Sequence, residues 1–253
     1  MKETRVLLIG ESWFVKITEL KGYDEFSYNK YEQGDANLAA ALNGDGIVFT
    51  HMPSHRVEYD FPKSAEELRE KFDVVLISDC GANTFNLPMS TFERLQKSPS
   101  KLQIIADFTK MGGGFGMVGG YLSFMGIQAR GAYINTVIED VLPVEMFCGD
   151  DRVEAPDGIT PVVVKAGHPA IKDMPAEGWQ DVLGFNRFFP KDEGETLVKV
   201  GDDPFIVVGS YGEGRTLAYA TDCGPHWSPV EFCEWDGYKK LWRGLVQWLA
   251  KAE

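Results

Sequence analysis

The sequence predicts a doubly wound α/β domain, and three observations carry that prediction. The runs Arg5-Val6-Leu7-Leu8-Ile9-Gly10 and Asp73-Val74-Val75-Leu76-Ile77-Ser78-Asp79 are short and continuously apolar, as parallel strands buried on both faces must be. Segments with helical periodicity alternate with such runs through the first half of the chain. Between Gly112 and Gly120 six of nine residues are glycine, and a run that poor in helix and strand propensity is tolerable only where backbone turns sharply or approaches something closely. Phe115, Met117 and Val118 make it a short strand that ends in a tight elbow, the place where α/β proteins mount a nucleophile or cradle a ligand. No cysteine or serine stands in the elbow.

In chain order, the Arg5–Gly10 strand is followed by a helix over Asp35 to Leu42, whose inner face is Leu38, Ala39, Ala41 and Leu42. Gly44-Asp45-Gly46 ends it, and Ile47-Val48-Phe49 begins a second strand. Ser64-Ala65-Glu66-Glu67 has the form of a capping box opening a helix through Phe72, before the Asp73–Asp79 strand. Leu102 to Thr109 reads as a helix because Ser100 can cap it, Leu102, Ile105, Ala106 and Thr109 share a face, and Gly112 stops it. The glycine segment is then the next strand. From about residue 144 to 222 the pattern changes to short strands separated by turns: Pro161–Val164, Thr196–Val200, Phe205–Val208 and Thr216–Ala220, the last two forming a hairpin. Tyr238, Leu241, Trp242, Leu245, Val246 and Leu249 recur at helical spacing in a final helix over Asp236 to Lys251. Trp248 falls off that stripe, at its margin or in a subunit contact. With no repeat, low-complexity tract or long linker, residues 1–253 read as a single domain.

Composition excludes several classes of function. The 253 residues carry a net charge of −13, which opposes nucleic acid and anionic membrane surfaces as partners, because both need a basic field. No apolar run reaches the roughly 20 residues needed to span a bilayer, and no secretory leader pattern opens the chain. The four cysteines, Cys80, Cys148, Cys223 and Cys233, lack C-x-x-C spacing, so a cytoplasmic protein with reduced thiols is expected. His51, His55 and Asp60 have no diagnostic metal spacing. The glycine run is neither a dinucleotide fingerprint nor a phosphate-binding loop. No metal and no cofactor is therefore expected.

In such a sheet, ligands sit beyond the carboxyl ends of the strands. That rule selects Gly10, Glu11 and Ser12 after the first strand, and Asp79, Cys80, Gly81 and Asn83 after the third. It selects Gly119, Gly120 and Tyr121 after the glycine strand, and Asp222, Cys223 and His226 after Ala220. His226 can act as a general base oriented by Asp222 or Glu231, and Glu11 with Asp79 as an acid/base pair or as caps of their turns. Cys80 is a small buried hydrophobe or, beside a base, a nucleophile.

Gly10-Glu11-Ser12-Trp13, Gly119-Gly120-Tyr121-Leu122-Ser123-Phe124 and Asp222-Cys223-Gly224-Pro225-His226-Trp227, together with the Asp79–Thr84 strand end and Tyr211–Arg215, resemble the class I glutamine amidotransferase-like superfamily. The resemblance spans nearly the whole chain and is strongest to its GATase1-like branch. Gly167-His168-Pro169 followed by Met174-Pro175 is similar to trehalose-utilisation-type relatives. The resemblance implies a flavodoxin-like sheet. Active members of the superfamily use a Gly-x-Cys-x-Gly elbow cysteine with a histidine and a glutamate. Here Val118 or Gly119 falls on the cysteine, and His226 and Glu231 are spaced more widely than the usual His-x-Glu. Glutaminase activity is therefore not expected.

Three readings follow. The first is a protein that binds a small polar ligand, a carboxylate or a sugar derivative, through Gly10, Ser12, Gly81, Asn83, Gly119, Gly120, Tyr121 and Asp222. The second is an enzyme of altered mechanism using His226 with Glu11 and Asp79, or a relocated Cys80. The third is an assembly subunit with Trp235 and Trp248 at an interface; self-association is left open.

Overall fold

The computed structural model describes residues 3–252. The strands are β1 (Thr4–Gly10), β2 (Ser12–Lys21), β3 (Asp24–Gln33), β4 (Ile47–Met52), β5 (Val74–Ser78), β6 (Gly114–Val118), β7 (Val144–Met146), β8 (Arg152–Ile159), β9 (Val162–Val163), β10 (Val182–Asn186), β11 (Phe188–Pro190), β12 (Glu195–Val200), β13 (Asp203–Tyr211) and β14 (Gly214–Tyr219). Eight of them form one sheet in the order β4-β1-β5-β6-β14-β13-β12-β9. The first five in that order run parallel, and β13, β12 and β9 extend the sheet antiparallel. The chain leaves β1 for β4 on one side and returns to β5 on the other, so the strand order reverses beside β1. This is the flavodoxin-like arrangement with an antiparallel C-terminal extension. It opens a crevice beyond β1 and β5.

The apolar runs lie where burial on both faces puts them. Val6 to Ile9 and Val74 to Ile77 are fully buried. Helices Ala36–Leu42 and Asp236–Leu249 pack together, and helices Ala65–Lys71, Lys101–Lys110 and Val137–Val141 form a second group. Ser100 Oγ accepts from Gln103 N at 3.2 Å and Ser64 Oγ from Glu67 N at 3.2 Å, so both predicted caps exist. The reciprocal half of the capping box is displaced by one residue, since Glu67 Oε2 accepts from Lys63 N at 2.9 Å.

Two expectations change. Trp248 is buried against the His168 ring with the Arg215 guanidinium over it, so it fills a packing gap instead of a subunit contact. Trp235 likewise packs on Trp179 and Phe232. After β6 no α-helix forms before Val137–Val141. Residues 120–135 form an irregular segment pinned by carboxylates, with Leu122 N donating to Asp79 at 2.7 Å, and Met125 N and Gly126 N to Asp151 at 2.9 and 2.8 Å. Residues 12–33, to which sequence periodicity assigns no element, form a ten-pair hairpin standing off the body.

Candidate functional site

At the crevice the backbone is strained. Glu11, directly after β1, has φ 43°, and Asp79, directly after β5, has φ 42°. Left-handed conformations are unfavourable for such residues and persist where surrounding structure holds them. Gly10 at φ 113° could not be replaced freely, because an added Cβ would meet Ser78 O at 1.8 Å. The consequence is that both acidic side chains turn off the strand ends into one cleft. Asp222, after β14, joins them.

The cleft has a volume of about 340 Å³ and is lined by Glu11, Asp79 and Asp222, by Trp13, Tyr121 and His226, and by Gly34, Gly224 and Pro225. The elbow lies beside it, leading directly into the lining residue Tyr121. A Cβ on Gly119 would strike Ala220 O at 2.3 Å, and Val118 is fully buried in β6. A Cβ on Gly120 would sit 3.0 Å from an Asp222 oxygen and 3.1 Å from an Asp79 oxygen. Gly120 is thus the elbow position that faces the acids, and it presents no side chain. Its N–H donates to Asn186 Oδ1 at 2.9 Å, and Gly119 N–H to Tyr219 O at 2.8 Å. These two amides are spent on the fold, which corrects the expectation that they serve a ligand.

The acids are not equivalent. Burial pushes the Glu11 carboxyl up to about 8, helped by the charges of Asp79 and Asp222 and opposed by hydrogen bonds from Ser78 and Cys223. Ser78 Oγ donates to Glu11 Oε1, while Glu11 Oε2 lies against Gly34 in the cleft wall. Burial also raises Asp79, against the hydrogen bond from Leu122 N. His226 Nδ1 pairs with Asp222 Oδ2 at 2.6 Å, and this bond raises its pKa against partial burial. Trp227 N donates to the same oxygen at 2.9 Å, and Ser228 Oγ to Asp222 O at 2.7 Å, which fixes the dyad. Tyr121 meets the His226 ring edge-on at 4.6 Å and carries the Arg152 guanidinium on its face.

The strand-end rule therefore brings together Glu11, Asp79, Tyr121, Asp222 and His226. It does not bring in the others. Cys80 is buried, and burial pushes its thiol up to about 11, so it holds no thiolate at neutral pH. Ser12 Oγ accepts from Ser54 N at 2.7 Å as a structural link at the hairpin base. Gly10 O bonds His51 Nε2 at 2.8 Å, and the other ring nitrogen of that histidine faces Asp35 at 3.4 Å. Gly81 packs under Arg130 O, and Asn83 is exposed at the start of a short helix outside the cleft lining. Glu231 is exposed; Asp222 is the partner of His226. Among the described residues no cluster of three or more His, Cys, Asp or Glu side chains is arranged to hold a metal ion. Trp13 and Gly34 enter the lining from the two ends of the hairpin. Asn186 and Asp151 support it from beneath, with Asn186 Nδ2 donating to Asp151 at 2.8 Å.

Fold and site together define a flavodoxin-like amidotransferase-type scaffold whose elbow has no nucleophile. The chain belongs to the GATase1-like family, described as "Putative glutamine amidotransferase", whose model matches residues 5–251. It is 42% identical to the cytoplasmic protein STM3548 from Salmonella typhimurium, with a TM-score of 0.92 over 96% of this chain and 98% of that one. A ThuA-like protein from Parabacteroides merdae superposes with a TM-score of 0.58 at 10% identity, covering 100% and 91% of the two chains. A glutamine amidotransferase from Thermotoga maritima superposes with 0.54 at 12% identity, covering 99% and 100%. The latter two likenesses are of fold alone. No curated protein matches the chain.

Proposed function

We propose that this protein binds a small, neutral, polyhydroxylated molecule, a sugar derivative, in the Glu11–Asp79–Asp222 cleft, and that it has no glutaminase activity. The observation that carries the reading is the pair of strained acidic residues, Glu11 and Asp79, which turn into one cleft with Asp222, where Asp79 and Asp222 flank the bare elbow residue Gly120. Strain of this kind is retained at ligand sites. Hydroxyl groups both donate and accept. They match a wall on which Glu11 keeps its proton while Asp222, bonded to His226, accepts. Trp13, part-exposed in the lining, supplies an aromatic wall for the apolar face of such a ring. The carboxylate ligand suggested by sequence fits less well, since Asp79 and Asp222 repel it. A cytoplasmic location belongs to the same reading and is supported by the name of the 42% identical relative; no helix among the described residues is long and apolar enough to cross a membrane. Residues 1–253 act as one domain in this reading.

Calorimetric titration tests it. Neutral sugars and polyols are expected to give saturable heats, and glutamine and dicarboxylates none; saturable binding of glutamine with release of ammonia overturns the reading. One observation favours a second reading, an acid/base enzyme acting on the same ligand class. The Asp222–His226 pair, 2.6 Å long and at the cleft edge, is built as an oriented base. Turnover of a bound sugar that is lost in His226→Gln while binding persists would establish it.

A further inference from the structure

The β2–β3 hairpin is the largest feature that the cleft does not use. Its strands pair from Ser12 with Gln33 to Lys21 with Asp24 and form a sheet of their own. Only its base is anchored, by Phe14 and Tyr31 packing on the His55 ring. Every residue of β3 is exposed apart from Glu32, which is half-buried; Phe26 and Tyr28 share a face with Val15 and Ile17, which are half-buried beside them. An isolated two-stranded ribbon is marginal in water, and an open edge is a template for another strand.

The geometry of the turn says which groups the edge offers. Lys21 and Asp24 close a two-residue turn with Gly22 at φ 66°. The closing pair of such a turn is hydrogen-bonded, so Glu25, Ser27, Asn29 and Tyr31 direct their N–H and C=O groups away from β2. We propose that a second copy of this chain fills this edge, β3 pairing antiparallel with β3 of its partner about a two-fold axis at Ser27. In that register the outward-facing residues meet one another: Ser27 lies opposite Ser27 of the partner subunit, and Glu25 opposite Asn29 of the partner subunit. The alternate residues then place Asp24 opposite Lys30 of the partner subunit and Phe26 opposite Tyr28 of the partner subunit, on the apolar face and twice by symmetry.

Charge selects both this register and this occupant. Moving the axis to Tyr28 would set Asp24 against Glu32 of the partner subunit, and moving it to Phe26 would leave Lys30 facing the turn. Lys30 is already paired with Glu32 at 2.5 Å within the chain and gains a second carboxylate in the dimer. The arm carries Lys16, Lys21 and Lys30 against Glu19, Asp24, Glu25 and Glu32, a net −1, whereas the whole chain carries −13. The arm is thus a nearly neutral surface on a strongly acidic protein. Ser27 stands six residues from the arm's base at Gln33, about 20 Å at the usual strand rise. Two bodies joined through their overlapping arms then have the arm bases roughly 40 Å apart, well beyond the ~8 Å over which their charges interact in physiological salt.

Light scattering on the full chain reads the mass. The expected result is twice the mass of one chain for the wild type. Ser27→Pro should return it to that of one chain, because proline there removes an outward N–H and spares the arm's own ladder. Lys30→Asp should weaken the dimer at least tenfold, and the double exchange Asp24→Lys with Lys30→Asp should restore it. Independently, Ser27→Cys in a Cys148→Ser background, which removes the exposed thiol, should give a reducible cross-linked dimer on oxidation. A wild type with the mass of one chain overturns the proposal, and so does a dimer that is indifferent to Ser27→Pro and forms no cross-link through position 27.

Discussion

Burial and the neighbouring charges of Asp79 and Asp222 push Glu11 up to about 8 from an ordinary value of 4.5, so in the folded protein it keeps its proton across neutrality. The unfolded chain gives that proton up near 4.5. Between those values the native state binds more protons than the unfolded state, and stability falls as pH rises through the window. Glu11→Gln, which mimics the protonated form, is expected to remove up to about 1.4 kcal/mol of stability loss per pH unit there. Chemical denaturation at pH 5 and pH 8 checks this: equal pH dependence in wild type and variant would show that Glu11 ionises normally. The thiols follow the same logic. Burial pushes Cys80 to about 11 and Cys233 to about 12, and Cys223 also upward. Native alkylation should label the exposed Cys148 rapidly and those three slowly, whereas rapid labelling of Cys80 would revive it as a nucleophile. Strand-end position was enough to find Glu11, Asp79, Asp222 and His226 from sequence. It was not enough to separate them from Cys80 or Asn83, because direction and burial of a side chain depend on the left-handed turns at positions 11 and 79. Asn186 and Asp151 had no local signal, since their roles come from chain segments far apart in sequence.

At the scale of elements, the parallel strands and the capped helices were legible because burial and capping write themselves into local sequence. Ser100→Ala is expected to cost about 1 kcal/mol through loss of the Gln103 N–H partner. The elbow is less forgiving. Gly119→Ala drives a methyl into Ala220 O and should cost about 1–3 kcal/mol or more as β6 and β14 separate; a melting temperature equal to wild type would contradict this packing. The hairpin escaped a reading that looked for buried runs. Its signature is present, in the aromatic and β-branched residues of Trp13–Thr18 and Phe26–Tyr31 on either side of the Gly22 turn. Neither face enters the core, so its short alternations (Val15, Ile17; Phe26, Tyr28) are interrupted by charged residues and no long apolar run marks it. The course of the chain after Gly120 was likewise hidden, because it is a loop held by carboxylates from Asp79 and Asp151.

At the scale of the whole molecule, opposing groups set the pH of greatest stability. Burial pushes the Asp73 carboxyl up, but hydrogen bonds from Arg5 and Arg69 outweigh it and hold it well below the usual range. Its contribution is present above its unfolded value of 3.8 and is lost as pH falls below that. Glu11, and Asp151 raised to about 6 chiefly by burial, lose their contributions as pH climbs toward neutrality and past it. His226 adds to the same trend, because its pairing with Asp222 stabilises below its unfolded pKa and fades as pH rises through the raised folded value. The melting temperature is therefore expected to peak on the acid side, at about pH 5, rather than at neutrality; a maximum above pH 7 would contradict the assignment of these groups. The central claim concerns the cleft itself, and its most direct test is the melting temperature of wild type and Trp13→Ala across a panel of neutral sugars and polyols. Trp13 is part-exposed at the arm's base, so its removal alters the cleft wall without touching the core. A ligand at 100 times its Kd stabilises by about 2.7 kcal/mol, or roughly 5–10 °C for a chain of this size. The account predicts such a rise in wild type with at least one neutral polyhydroxylated compound, and its loss in Trp13→Ala; a panel that leaves wild type unmoved while glutamine or a dicarboxylate raises it would contradict the account.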